Sequence, residues 1–322
     1  MKAIISKQYG SPEVLAIVDI PKPTPKTDEL LIRIYASTVS TADWRMRSLH
    51  MPSGFRLFAR LAFGLQKLRK PILGCEFSGE VAAIGSEVTS FRVGDVVVAY
   101  LGLDLGCHAQ YKCIKANGAV AMKPKNLSDE QAASLFFGGA TMLDFYRRAK
   151  LARGERVLVN GATGTVGGAA VQLAKHFGAH VTAVCRSSNF DLVQSLGADQ
   201  VIDYTKHDFP KLNQQFDVIV DTVGNAPFER SDKVLVKGGR LLLILAHLPD
   251  MLKAPWQSMV SGKKVLFAPA AERPEYVDQL CAIAQAGKFI PHIDSIYSFE
   301  QFVDAHRRVD SGHKRGSVVV RF

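Results

Sequence analysis

The densest chemical signal in the chain is a run of small residues, Asn160-Gly161-Ala162-Thr163-Gly164-Thr165-Val166-Gly167-Gly168. It follows the apolar stretch Arg156–Val159 and opens an apolar helix predicted over Val166–Phe177. The glycines permit a sharp turn and let a ligand approach the backbone where a Cβ would obstruct it. The helix that follows offers N–H groups and the positive end of its dipole to an anion. Strand, glycine turn, helix and a second strand, His180–Val184, in that order form the cradle for a dinucleotide pyrophosphate. Gly161, Gly164, Thr165, Val166 and Gly167 are therefore candidate cofactor residues.

The end of the second strand selects between cofactors. A carboxylate there would hold the free ribose 2′-hydroxyl of NAD. The sequence instead reads Cys185-Arg186-Ser187-Ser188-Asn189, with no carboxylate before Asp191. Arginine beside small hydroxyls suits a 2′-phosphate, so Arg186 and Ser187 point to NADPH. Cysteine chemistry points nowhere comparable. The five cysteines are an odd number without framework spacing, which favours reduced thiols, and Cys107, His108 and Cys113 match no common metal spacing.

These residues need a frame. The first third reads as β-rich, with apolar strands at Glu29–Ala36, Gly79–Gly85 and Gly94–Tyr100. Near residue 124 the pattern changes, and Ser128 caps a helix that opens with Asp129-Glu130. From Arg153 onward strands and helices alternate: a helix over Phe190–Leu196, then strands at Gln200–Ile202, Phe216–Val220 and Arg240–Ile244. Continuous apolar strands of this kind imply burial on both faces, hence an α/β fold with a doubly wound parallel sheet. Helices over Tyr276–Ala286 and Phe299–Arg308 and a last strand, Ser317–Val320, are expected to return to the first domain. The expected boundaries are 1–123 with 270–322 for one domain and 124–269 for the other.

The whole chain sets further bounds. Its 322 residues suffice for two domains, and 47% hydrophobic with 22% charged residues is ordinary globular composition. No apolar run approaches a membrane span, and the start carries no signal-like segment, so a cytoplasmic protein is expected. The net charge of +10 is spread along the chain without a nucleic-acid-binding motif, which argues against that partner. Residues 55–70 place Phe58, Leu61, Ala62, Leu65 and Leu68 at helical spacing, with Arg56, Arg60 and Lys67 on another face. The segment reads as an amphipathic helix, either packed on the surface or in peripheral contact with an anionic bilayer, with Gly64 a possible break.

Several stretches together resemble the medium-chain dehydrogenase/reductase superfamily, in its zinc-independent quinone oxidoreductase branch. They include Tyr9-Gly10-Ser11-Pro12-Glu13-Val14-Leu15, Gly74-Cys75-Glu76-Phe77-Ser78-Gly79-Glu80-Val81, Phe91-Arg92-Val93-Gly94-Asp95-Val96-Val97, the glycine turn, Leu196-Gly197-Ala198-Asp199 and Val220-Asp221-Thr222-Val223-Gly224. The resemblance spans essentially the full length. It implies a GroES-like barrel domain, a Rossmann domain and a homodimer. It implies cleft residues Ser40, Thr41 and Asp43 as catalytic candidates, Thr141 at the nicotinamide half, Tyr204 near the 2′-phosphate, and Val223 and Gly224 along the cofactor's middle. Where zinc members of the family hold their metal, this chain has Ser40, Cys75 and Phe137, and the cysteine-rich structural lobe is missing, so no metal is expected. The resemblance thus implies NADPH-dependent hydride transfer to a quinone or an α,β-unsaturated carbonyl. No residue stands out as an obligatory general acid, and Tyr100 is a candidate by location only. A zinc alcohol dehydrogenase, an enoyl-thioester reductase and a non-catalytic NADPH-binding regulator remain open alternatives.

Overall fold

The computed structural model describes residues 1–267, 269–271 and 273–322. The chain divides into two compact units, Met1–Met51 with Arg56–Phe137 and Glu272–Phe322, and Pro52–Phe55 with Gly138–Ala271. The first divide falls at Phe137/Gly138 rather than at 123/124. The reason is the short helix Asp129–Ala133, which packs on the strands Glu29–Val39 and Glu76–Ile84 of the first unit. The last divide falls at 271/272 rather than 269/270.

The second unit is the doubly wound sheet. Among the described residues, six strands lie in the order Gln200–Asp203, His180–Cys185, Arg156–Asn160, Phe216–Asp221, Leu235–Leu243 and Lys264–Leu266. Every neighbouring pair is parallel. Val157, Leu158, Val159, Val218, Ile219 and Val220 are wholly buried, as strands covered on both faces must be. The chain begins in the middle of this sheet, builds outward to one edge, then crosses to build the other. The strands Arg156–Asn160 and Phe216–Asp221 therefore flank a topological switch point, outside whose carboxyl ends open α/β sheets bind ligands.

The first unit is built on the long strand Glu29–Val39. One edge pairs with Glu76–Ile84; the other pairs with Tyr111–Lys115 and then with Ser317–Arg321, all antiparallel. Register shifts after Leu31 and Ile34 bend the strand around a core of Leu30, Ile32, Ile34, Phe77, Val81, Val97 and Ala99. The C-terminal tail returns to this unit, with Val318 opposite Val39.

Three elements differ from the sequence expectation. The 55–70 segment is helical only over Arg56–Phe63, because Gly64 adopts φ +132° and ends it. Of the leucines in the segment, Leu57, Leu61 and Leu65 are exposed and Leu68 is buried; within the helix Ala59 is the buried residue. The helices Thr41–Ser48 and Leu248–Ser261 are not among those expected from sequence, and only the former lacks an apolar stripe. In the latter, Pro255 sits within the helix and Leu252, Trp256, Met259 and Val260 are exposed.

Candidate active site

The carboxyl edge of the parallel sheet collects most of the cofactor candidates. Gly161 ends the strand Arg156–Asn160 at φ +83°, and its N–H and that of Ala162 donate to Val184 O at 3.2 and 3.3 Å. Gly164 is the N-cap of the helix Thr165–His176, and no side chain caps that end. A Cβ on Gly167 would lie 2.1 Å from Gly161 O, so only glycine fits where helix and turn meet. The neighbouring strand closes the other side. Asp221, wholly buried, accepts from Asn160 Nδ2 at 2.9 Å, from Val223 and Gly224 N–H at 3.1 Å each, and from Ala226 N–H at 2.8 Å. One carboxylate thus ties Val223 and Gly224 to the glycine turn. Gly138, one helical turn before Thr141, packs on the same helix start; a Cβ there would lie 2.6 Å from Thr165 O. Thr141 is half-buried.

Arg186 and Tyr204 project from the ends of adjacent parallel strands, whose register sets Asp203 opposite Cys185. Arg186 Nε donates to the Tyr204 hydroxyl at 2.7 Å, and both side chains are exposed. The second strand ends without a carboxylate of its own, but the fold supplies one from the next strand. Asp203 accepts from Ser187 N–H at 3.2 Å, from Thr205 N–H at 2.9 Å and from Thr205 Oγ1 at 2.7 Å. The Thr205 hydroxyl foremost, with the backbone N–H donors, holds its carboxyl down at about 2. Its two oxygens are spent on shaping the loop, and Arg186, Ser187 and Tyr204 are exposed beside it, as are Ser188, Thr205 and Lys206.

In the first unit, Ser40 caps the helix Thr41–Ser48 in a capping box with Asp43. Ser40 N–H and Oγ donate to Asp43 Oδ2 at 2.8 and 2.6 Å, and Asp43 N–H donates back to Ser40 Oγ at 3.2 Å. Asp43 Oδ1 accepts from Gly74 N–H at 2.8 Å, tying the cap to the segment before Cys75. Ser40 and Asp43 are buried, and Thr41 between them is half-buried. Glu76, next to Cys75, is wholly buried. It accepts from Thr38 Oγ1 at 2.6 Å and from the N–H groups of Phe136 and Phe137 at 2.8 Å each. Burial lifts its carboxyl to about 7 despite those donors. Tyr100 packs beside Met46, Leu73, Cys75 and Phe137, with its ring 6.2 Å from that of Phe136.

Two family models match the chain, one described as an alcohol dehydrogenase GroES-like domain over residues 26–125 and one as a zinc-binding dehydrogenase over 196–320. A chloroplastic quinone-oxidoreductase homologue of Spinacia oleracea is 32% identical, covering 99% of this chain and 98% of its own. The chain belongs to the medium-chain dehydrogenase/reductase superfamily. It falls in the quinone-oxidoreductase-like branch and is an NAD(P)H-dependent type of oxidoreductase. It is also 31% identical to a 2-methylene-furan-3-one reductase of Solanum lycopersicum, over 99% of this chain and 79% of that one. The structure matches that of a quinone oxidoreductase from Coxiella burnetii with a TM-score of 0.85 and 29% identity, covering 100% and 99% of the two chains.

Zinc members of this superfamily need three protein ligands for a catalytic metal. Here the hydroxyl of Ser40 is engaged by Asp43, Cys75 is buried, and Phe137 has no donor atom in its side chain. Among the described residues, no group of three or more His, Cys, Asp or Glu side chains is arranged to hold a metal. The residues present do not fit a catalytic zinc. Cys107 and His108 are core residues: burial raises the Cys107 thiol, and His108 Nε2 lies 2.9 Å from Thr38 O. Sequence reasoning did not single out Glu76, Asp203 or Asp221. Two of these stood in its quoted motifs, but nothing in a linear pattern shows which backbone donors a carboxylate will meet.

Proposed function

We propose that the protein transfers hydride from NADPH to a quinone or an α,β-unsaturated carbonyl compound without a metal. The observation that carries this reading is the set of side chains, Ser40, Cys75 and Phe137, at the family's zinc positions. Relatives named quinone oxidoreductase and 2-methylene-furan-3-one reductase support the substrate class.

The glycine turn Gly161–Gly167, with Thr165 and Val166, receives the pyrophosphate at the helix N-terminus. Arg186, Ser187 and Tyr204 receive the 2′-phosphate, and Val223, Gly224 and Thr141 line the rest of the cofactor. When bound, NADPH supplies the hydride. Thr41 is the residue of the first unit that meets the substrate, with its hydroxyl available to the carbonyl oxygen; Ser40 and Asp43 act through it as positioning residues. Hydride addition at the β-carbon of an enone leaves an enolate, and addition to a quinone leaves a hydroquinone anion. Either takes its proton from water, so no dedicated acid is needed, and positioning is the protein's main contribution.

A homodimer accompanies this reading. Lys264–Leu266 is an edge strand, and the nearby helix Leu248–Ser261 exposes Leu252, Trp256, Met259 and Val260, surface that a second copy would cover. Light scattering would read the dimer mass directly.

The deciding assay follows NADPH oxidation with quinones, enones and aldehydes, with and without chelator. Turnover of quinones or enones that survives chelation is expected. Activity confined to aldehydes, with about one zinc per chain and loss of rate on its removal, would overturn the proposal.

A further inference from the structure

A surface helix ordinarily turns its apolar side inward. The helix Arg56–Phe63 does the reverse. Ala59 is buried, and Phe63, one turn on, packs with Met46, Leu68 and Leu73. Leu57 and Leu61 stand on the opposite side of the helix, 67% and 55% exposed, and Leu65 just beyond its end is 59% exposed. The end of the helix is fixed: Arg69 N–H donates to Phe63 O at 2.8 Å, and the Tyr9 hydroxyl donates to Gly64 O at 2.6 Å. Leu68 is buried, so the turn after the helix is anchored on both sides of the outward Leu65. The fold holds these leucines out in water.

The segment itself carries one sign of charge, and among the described residues the acidic group that meets it in an ion pair is Asp104, 3.1 Å from Lys70 at its far end. No Asp or Glu occurs between Asp43 and Glu76. Arg56, Arg60, Lys67 and Arg69 are exposed, and none of them enters an ion pair among the described residues. Apolar side chains rimmed by unpaired cations complement the boundary of an anionic bilayer, where leucines reach the acyl region and cations meet lipid phosphates. A nucleic acid would use the cations and leave the leucines wet. A second copy packed on this face about a two-fold axis would set Arg56 and Arg60 against their own equivalents.

We propose that the helix Arg56–Phe63 and the turn through Lys70 dock the protein on membranes containing anionic phospholipid, with Leu57, Leu61 and Leu65 entering the interface. The contact is peripheral, since no helix among the described residues is long and apolar enough to cross a membrane. It is a property separate from hydride transfer, which is read by a different assay.

The test is co-sedimentation of the full chain with vesicles of phosphatidylcholine alone and of an equal mixture with phosphatidylglycerol. Binding to the mixed vesicles at low salt is expected, weakened about tenfold or more by high salt or by omission of the anionic lipid. The double variants Leu57→Ser/Leu61→Ser and Arg56→Gln/Arg60→Gln should each lose about tenfold in binding, with melting temperature and NADPH oxidation retained. A Leu57→Trp variant, which keeps the surface apolar, should show blue-shifted emission on mixed vesicles. No binding at low salt would overturn the proposal. So would a leucine variant that binds as wild type, the mark of purely electrostatic attraction, or one whose only change is a smaller oligomer.

Discussion

Arg186 Nε donates to the Tyr204 hydroxyl at 2.7 Å, with the guanidinium carbon 5.9 Å from the ring centroid. The contact joins the ends of two adjacent parallel strands, eighteen positions apart in sequence. It spends only the Nε donor and leaves the terminal amino groups of the guanidinium for a phosphate. A charge-assisted hydrogen bond of this kind is worth about 1.5–3 kcal/mol, or roughly tenfold to a hundredfold in affinity. Arg186→Ala should therefore weaken NADPH by that factor and NADH far less. Tyr204→Phe should have a smaller effect in the same direction, since it removes a neutral hydroxyl that both aims Arg186 and faces the phosphate, and leaves the guanidinium charge in place. Dissociation constants for both cofactors in the three proteins decide it; equal losses for the two cofactors would reduce Arg186 to a solvated charge.

The glycines of the turn separate fold from ligand. A Cβ on Gly167 meets Gly161 O at 2.1 Å, a backbone atom that cannot swing aside. Gly167→Ala should cost about 1–3 kcal/mol or more in stability and lose cofactor binding with it. At Gly164 the backbone has an ordinary φ of −73°, and the nearest atom to a Cβ is Gly161 O at 3.8 Å. Gly164→Ala should fold like wild type and still bind NADPH weakly, because the added methyl fills space meant for the pyrophosphate. Melting curves beside cofactor titrations test both, and a Gly164→Ala protein with unchanged affinity would place the phosphates elsewhere.

How far the sequence could be read follows from the range of each interaction. The parallel sheet was legible because its strands are continuous apolar runs and its phosphate turn is one contiguous segment with a glycine at each tight spot. The seven-stranded sheet of the first unit was legible only in part, since Tyr111–Lys115, Val120–Met122 and Ile293–Ser298 are short and carry mixed burial. Asp203 and Asp221 belong to a different class. Each holds the loop that follows its own strand and ties it to the end of a neighbouring one, at Ser187 for Asp203 and Asn160 for Asp221, through a register that no local pattern encodes. The Arg56–Phe63 helix was legible as amphipathic while its two readings stayed open, because helical spacing identifies an apolar stripe but not whether the fold or the solvent receives it.

Ser40 and Thr41 make different demands on mutation. Ser40 Oγ is held in the capping box with Asp43, so Ser40→Ala should cost about 1 kcal/mol of stability, and its kinetic effect should be indirect. Thr41, at the first position of the helix, has no part in that box. Thr41→Val keeps its shape and removes the hydroxyl. If that hydroxyl meets the substrate carbonyl, Thr41→Val should lower kcat/KM about tenfold while leaving the melting temperature in place. A full-rate Thr41→Val enzyme would return the role to the cofactor's positioning alone.

Glu76 gives the fold a pH dependence of unusual sign for a carboxylate. Burial raises its carboxyl from 4.5 to about 7, outweighing the Thr38 hydroxyl and the Phe137 and Phe136 N–H groups that favour the charged form. The native state then binds the proton more tightly than the unfolded chain does. Between about 4.5 and 7 this carboxyl holds more proton in the folded protein, so its contribution to stability falls as pH rises through that window. Glu13 and Asp203, both held at about 2, act in the opposite sense, and their contribution is lost only as pH falls below the usual carboxylate range. Burial also lowers His306, His108 and His292 below the usual imidazole range, and these groups act against Glu76 within the same window, so its share is read as a difference between wild type and variant. Glu76→Gln fits the same donors, with its oxygen toward the two N–H groups and its amide nitrogen toward the Thr38 hydroxyl, which can turn to accept. Urea midpoints measured across the window should show wild type losing stability relative to Glu76→Gln as pH rises from about 4.5 to 7. Parallel curves for the two proteins would show that Glu76 is ionised throughout, its three donors outweighing its burial.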